Sequence, residues 1–255
     1  MLESSNSIKL SAVVITYNEE EKIGKCIDSL IGVADEIIVV DSLSTDRTVE
    51  ICKSKGATVI SQPFLGYAGQ KNFGIEHTNF NYILSLDADE VLSPELINSI
   101  KSLKANSNNT AFEFTRLTNY CGKWIKHGHW YPDVKLRLWN ASKGKWGGKN
   151  PHDTYLLNEG STQTKLKGDL LHYSYYSIEE HMTQAHKFSK IAAKAYHEAG
   201  KKSSWFKIIF SPISRLISSY LFNLGFLDGK EGWIIAKITY WETKQKYLLL
   251  KNYDS

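Results

Sequence analysis

The sequence predicts an α/β fold, a sheet with parallel strands flanked by helices and followed by a C-terminal helical appendix. Short apolar runs alternate with stretches of helical periodicity through the first hundred residues, in the order β-α-β-α-β-α-β of right-handed crossovers. One of these runs, Tyr82-Ile83-Leu84-Ser85-Leu86, ends abruptly in three acids, Asp87, Asp89 and Glu90. That places negative charge at the carboxyl end of a strand, where open α/β sheets bind their ligands.

Taken in order, Leu10 to Thr16 reads as a first buried strand that stops at Tyr17-Asn18-Glu19-Glu20. Asn18 is placed to cap a helix in which Ile23, Cys26, Ile27 and Leu30 recur at helical spacing. Glu36 to Val40 is a second buried strand, ending in Asp41. Ser44-Thr45-Asp46 caps a helix from Arg47 to Lys55 that Gly56 closes. Ala57 to Ser61 is a third strand, and Tyr67 to His77 a helix carrying Lys71. After the acidic strand, Ser93-Pro94-Glu95 opens another helix, and Thr110 to Leu117 reads as a strand.

The aromatic stretch that follows contains Trp124, Trp130 and Tyr131, which are either core packing or an apolar platform for a sugar ring. Pro132-Asp133 reads as a turn and Val134 to Trp139 as a strand alternating with Lys135 and Arg137. Gly144, Gly147 and Gly148 read as a loop that brings backbone close to a ligand, or as a simple hairpin turn. His152-Asp153 comes next, and Leu166 to Leu171 leads into His172. Ile178 to Gly200 and Trp233 to Lys251 read as helices, and Pro212 is expected to break or kink the apolar stretch between them. That stretch, from Ser204, either lies in a membrane interface or packs back over the protein.

Composition sets the bounds. With 255 residues, 42% apolar and 23% charged, the chain is long enough for a full core and ordinary for a globular protein. A net charge of +4 without a dense Lys/Arg stripe gives no argument for nucleic acid. Three cysteines without metal or redox spacing read as reduced thiols of a cytosolic protein. No signal peptide is expected at the start, and no run of about 18 apolar residues suggests a transmembrane helix.

Asp87 and Asp89, two residues apart, aim two carboxylates at one region and repel unless a cation is close by. A hard divalent ion shared with phosphate oxygens satisfies them, and a solvated acidic turn is the plainer alternative. For Asp41 the alternative is a favourable charge at a helix N-terminus, for Lys71 a solvated helix face, and for His172 a hydrogen-bonded core residue.

Four segments, VVITYNEE (Val13 to Glu20), VVDSLSTDRT (Val39 to Thr48), GQKNFGI (Gly69 to Ile75) and LDADE (Leu86 to Glu90), occur in the order found in family 2 glycosyltransferases, which this half of the chain resembles. The resemblance implies a GT-A type, Rossmann-like mixed sheet. The catalytic domain then covers residues 1–176, with a nucleotide-sugar half to about residue 105 and an acceptor half beyond it; residues 177–255 form the helical region. It further implies that Thr16 and Glu19 lie beside the nucleotide, Asp41 recognises the base, Lys71 approaches the diphosphate and Asp87 touches the ribose or donor sugar. Asp89 and His172 then hold Mn²⁺ or Mg²⁺, and imidazole suits Mn²⁺ better.

Within the family the nearest likeness is to lipopolysaccharide-core and related lipid-linked sugar transferases, in which the His152-Asp153 position usually reads His-Glu. Asp153 is the expected base, one methylene shorter, with Asp133 as runner-up. The implied reaction is inverting transfer of a hexose from a nucleotide-diphosphate sugar, UDP-linked by preference, to a glycolipid or polysaccharide hydroxyl. The implied location is the cytoplasmic face of the plasma membrane, and the tail around Leu221 to Gly229 shares the likeness. A nucleotidyltransferase acting on a sugar phosphate also uses a parallel sheet and acidic site, but no Gly-rich triphosphate loop follows the first strand. A nucleotide-sugar-binding protein without turnover is the non-enzymatic alternative.

Overall fold

The computed structural model describes residues 8–105, 110–149 and 152–253, with backbone alone at 105, 149, 152 and 153. Its first half is β1 (Leu10–Thr16), α1 (Ile23–Leu30), β2 (Glu36–Asp41), α2 (Thr48–Ser54), β3 (Thr58–Ser61), α3 (Tyr67–Ile75), β4 (Tyr82–Asp87), β5 (Glu90–Leu92) and α4 (Pro94–Ala105). The remainder is β6 (Ala111–Tyr120), β7 (Lys123–Ile125), β8 (Asp133–Asn140), β9 (Gly144–Lys149), β10 (His152–Leu157), β11 (Gln163–Tyr175), α5 (Ile178–Glu198), α6 (Trp205–Ile217) and α7 (Gly229–Tyr253). A short π-helix, Ser218–Phe222, and a 3-10 turn, Gly225–Asp228, join α6 to α7.

The chain divides into two compact units, Met1–Arg116 with Val134–His172, and Leu117–Asp133 with Tyr173–Ser255. In the sheet the strands lie in the order β3-β2-β1-β4-β8-β6-β11-β5. β3, β2, β1 and β4 are parallel neighbours, and β4 then pairs antiparallel with β8. This is the mixed α/β sheet expected from the alternation of elements.

β1 is buried at every position, which is why its sequence is a continuous apolar run. Ala12 and Val14 join the core beneath α1, with Ile23, Cys26, Ile27 and Leu30, whereas Val13 joins Ile83, Trp139, Trp146 and Tyr155 in a second cluster. Helix α3 approaches the strands closely at Gly74. A Cβ there would stand 2.5 Å from Val13 Cγ1 and 2.9 Å from Val40 Cγ2.

Some local expectations give way. Asn18 does not cap α1, whose first turn has no side-chain cap. Asn18 instead takes a left-handed backbone (φ 51), which asparagine tolerates, and turns its side chain toward the loop after β2. The glycine-rich segment is neither a free loop nor a turn but strand β9, paired antiparallel with β10. A Cβ at Gly144 would fall 2.3 Å from Leu156 O, and one at Gly147 would fall 2.8 Å from Leu156 Cδ1, so the glycines serve close packing of the hairpin. Pro212 lies buried inside α6 without ending it.

In the second unit α7 packs along both α5 and α6. Asp228, buried in the turn before α7, accepts from the backbone N–H of Lys126 and His127 and pairs with His127 Nδ1 at 3.0 Å. The 123–127 segment is thereby tied to the start of α7. We predict that Gly74→Ala, which forces α3 off the strands, lowers stability by about 1–3 kcal/mol, read as a lower urea midpoint at unchanged slope.

Candidate active site

The site grows from the end of β4. The chain leaves the sheet at Asp87, turns through Ala88-Asp89 and re-enters it at once as β5, where Glu90 lies in register with His172 of β11. Three acids are thus packed into four residues, and the structure treats each differently.

Asp87 is compensated by two cations. Its Oδ1 lies 3.2 Å from Lys71 Nζ and its Oδ2 accepts from Arg137 Nη2 at 2.9 Å. Burial pushes its carboxyl upward, but Lys71 and Arg137 outweigh that and hold it well below the usual carboxylate range. Lys71 is itself enclosed, its Nζ 4.4 Å from the centre of the Trp146 ring. Its solvated-face alternative is therefore excluded, because a buried ammonium needs a partner and has one.

Glu90 is fully buried and internal to the framework. It accepts from the Asp87 N–H at 3.0 Å and from Arg137 Nη2 at 2.5 Å, with Arg116 Nη1 at 3.5 Å. Arg137 therefore bridges two carboxylates. Burial pulls its pKa down, yet Glu90 and Asp87 more than reverse this, so it stays charged.

Asp89, part-exposed like Asp87, has its Oδ2 3.2 Å from His172 Nε2. Residues far apart in sequence are brought together as the resemblance implied, and they offer an oxygen and an imidazole nitrogen to one point. Among the described residues there is no group of three or more His, Cys, Asp or Glu that could hold a metal ion. Glu19 responds to the same charge. Burial raises its carboxyl, Lys22 at 3.2 Å pulls it down, and Asp89 adds to the upward push.

The ends of β1 and β2 form the neighbouring wall. Thr16 and Asp41 are in register, both buried, and Thr16 Oγ1 and Asp41 Oδ1 have no hydrogen-bond partner. Buried polar atoms left unsatisfied at strand ends suit a ligand's donors. Asp41 Oδ2 accepts from the Ser44 N–H at 3.0 Å. The loops beyond are latched together. Asn18 N–H donates to Ser44 Oγ and Thr45 N–H to Asn18 Oδ1, both at 2.8 Å. Glu19 N–H donates to Thr48 Oγ1 at 2.8 Å, and Arg47 N–H to the Glu20 carboxylate at 3.1 Å.

Of the other candidates, Gly147 lies opposite Thr154 and Gly148 opposite Asp153 in the β9–β10 hairpin, and the Asp153 side chain is outside the described residues. Asp133, Trp124, Trp130 and Tyr131 belong to the second unit. Trp124 meets Tyr173 edge-on at 5.4 Å, and Trp130 packs against Tyr120 and His181 at 5.5 and 5.4 Å. Sequence reasoning missed Arg137 and Glu90. The available signal was an arginine inside the apolar run Leu136-Arg137-Leu138-Trp139, where a buried cation requires buried acids.

The sequence model of glycosyl transferase family 2 matches residues 11–157 of the chain. The chain belongs to glycosyl transferase family 2. This transferase is 35% identical over 237 residues to an uncharacterized glycosyltransferase of Rickettsia typhi, covering 89% of this chain and 81% of that protein. It is 30% identical over 258 residues to the lipopolysaccharide core biosynthesis glycosyltransferase LpsC of Rhizobium meliloti, covering 95% and 94%. The mannosyltransferase PcManGT of Pyrobaculum calidifontis, solved in complex with GDP-Man and Mn²⁺, aligns over 97% of this chain and 87% of its own with a TM-score of 0.53. At 14% identity that likeness speaks for the fold alone, which is GT-A. Membership of the family also decides against the nucleotidyltransferase reading.

Two outcomes follow from these side chains. Arg137→Met leaves Asp87 and Glu90 without their shared cation and is expected to lower stability by roughly 3–5 kcal/mol, measured by chemical denaturation at neutral pH. Burial pushes the His181 imidazole from 6.5 down to about 4, so between these values the unfolded chain binds a proton that the folded one refuses. Stability is therefore expected to fall as pH drops through that window, by up to about 1.4 kcal/mol per pH unit, and His181→Phe to flatten this slope.

Proposed function

We propose that this transferase is an inverting, metal-dependent enzyme. It moves a hexose from a nucleoside-diphosphate sugar, UDP-linked by first expectation, to a hydroxyl of a lipopolysaccharide-core or other glycolipid or polysaccharide acceptor at the cytoplasmic face of the membrane. The observation that carries the reading is the Asp89–His172 pair, standing beside an Asp87 that two buried cations hold ionised.

Asp89 and His172 would hold Mn²⁺ or Mg²⁺, with the donor's phosphate oxygens filling further positions; the imidazole favours Mn²⁺. A divalent ion held there would supply Lewis-acid stabilisation of the departing nucleoside diphosphate, a contribution of several kcal/mol. Asp41 and Thr16 offer their unsatisfied oxygens to the base and its surroundings, with Glu19 beside them. Asp87, fixed in one orientation by Lys71 and Arg137, receives hydroxyls of the ribose or donor sugar, and Lys71 contributes positive potential toward the diphosphate. Gly147 and Gly148 flank the donor sugar.

Asp153 takes the acceptor's proton as that oxygen attacks the anomeric carbon opposite the leaving group, so a single displacement inverts the centre. Asp133 is the second candidate for that proton. Trp124, Trp130 and Tyr131 are the candidates for the acceptor's apolar face. The LpsC likeness supports a lipopolysaccharide-type acceptor.

Titration calorimetry with UDP, GDP and their sugar conjugates, with and without Mn²⁺, tests the donor half. One nucleoside diphosphate is expected to bind in a metal-dependent manner, with Asp89→Asn at least about tenfold weaker. Asp153→Asn is expected to bind that nucleotide normally while losing about 10²- to 10⁴-fold in transfer rate. Absence of nucleotide binding under all conditions refutes the reading.

A further inference from the structure

The second unit carries a surface that the transfer chemistry does not use. Along α6 the buried side chains are Ile208 and Pro212. Trp205, Phe206, Ile209, Phe210 and Ile213, by contrast, are exposed, with Trp205 at 64% and Phe206 at 69% of full accessibility. At 100° per residue these five positions share one arc of about 140°, so they form a stripe and not a scatter. The Phe206 and Phe210 rings lie 4.5 Å apart. Beyond the helix Phe222, at 81% the most exposed large apolar side chain among the described residues, closes the π-helix. Contiguous apolar surface of this extent is uncommon on a monomeric soluble protein and marks a contact surface.

Charge identifies the partner. From Ala199 to Leu227 the chain has four cations, Lys201, Lys202, Lys207 and Arg215, and no carboxylate. Lys251 Nζ also sits 3.6 Å from the centre of the Trp205 ring. A second copy of this chain would set the same cations against each other across a two-fold axis. A bilayer with anionic headgroups instead accepts the apolar stripe between its acyl chains and the cations at its surface. Among the described residues no helix is long and apolar enough to cross a membrane, and α6, at 13 residues, falls short of the roughly 20 that a span needs.

We propose that the exposed stripe of α6 and the tip at Phe222 form an anionic-lipid docking surface that lies in the plane of the interface. The aromatic and aliphatic side chains enter the headgroup–acyl boundary, to a depth of about 5–10 Å, while Lys207 and Arg215 remain with the headgroups. The surface is independent of the nucleotide site and stands or falls separately from it.

The test is co-sedimentation of the full chain with vesicles of phosphatidylcholine alone or mixed with phosphatidylglycerol, comparing the natural protein with Phe206→Gln/Phe210→Gln and with Lys207→Glu/Arg215→Glu. The natural chain is expected to pellet with the phosphatidylglycerol vesicles, and high salt to weaken that binding. Each double variant is expected to bind about tenfold or more weakly while keeping its melting temperature and nucleoside-diphosphate binding. Equal pelleting of the natural chain and the phenylalanine variant overturns the proposal, as does no pelleting with either vesicle. A dimer in sedimentation velocity that the phenylalanine variant dissolves also overturns it, giving the face to a second copy.

Discussion

The enclosure of Arg137 with Asp87 and Glu90 is the constraint on which the rest of this site depends. A buried guanidinium and the fully buried Glu90 are tolerable only when each satisfies the other, and the geometry extends the pairing to the part-exposed Asp87: Glu90 also accepts from the Asp87 backbone, Arg137 reaches one Asp87 oxygen and Lys71 the other. A chain that turns from β4 into β5 within two residues would otherwise crowd three negative charges together. Buried cations compensate Asp87 and Glu90, whereas Asp89 stands beside His172. The repulsion between Asp87 and Asp89 is therefore relieved largely by the side chains of Lys71 and Arg137.

The remainder of the candidate site is built by the parallel half of the sheet. Strands β1, β2 and β4 end side by side, which brings Thr16, Asp41 and Asp87 to one edge without any of them being near another in sequence. Burial then gives these ends their character: oxygens of Thr16 and Asp41 are shielded from water and unsatisfied by the protein. Open α/β sheets receive their ligands beyond such strand ends.

Much of this was legible in the sequence because β1 and the middle of β4 are buried on both faces and appear as apolar runs, while α1 repeats Ile23, Cys26, Ile27 and Leu30 at helical spacing. The pairing of Asp89 with His172 was readable only through the family's motif order, since no local pattern links residues on β11 to a turn after β4. Arg137 was hidden by the same alternation rule that found its strand. A charged residue between apolar ones is ordinarily assigned to the solvent face, and only the unseen neighbours Asp87 and Glu90 reverse that. Asn18 and Gly144 were misassigned for a related reason: each residue type has a common local use, as helix cap or as turn, and a distant partner, Thr45 or Leu156, recruits it to another.

The latch between the loops after β1 and β2 ties two segments almost thirty residues apart into one mechanical piece. Their backbone amides are held by each other's side chains before any ligand arrives, so little ordering entropy remains to be lost on binding. A substitution at Asn18 changes what is tolerated at Ser44 and Thr45, and the reverse holds as well. Substitutions in the two loops are therefore coupled, and drift in one alone strips the other of its hydrogen bonds.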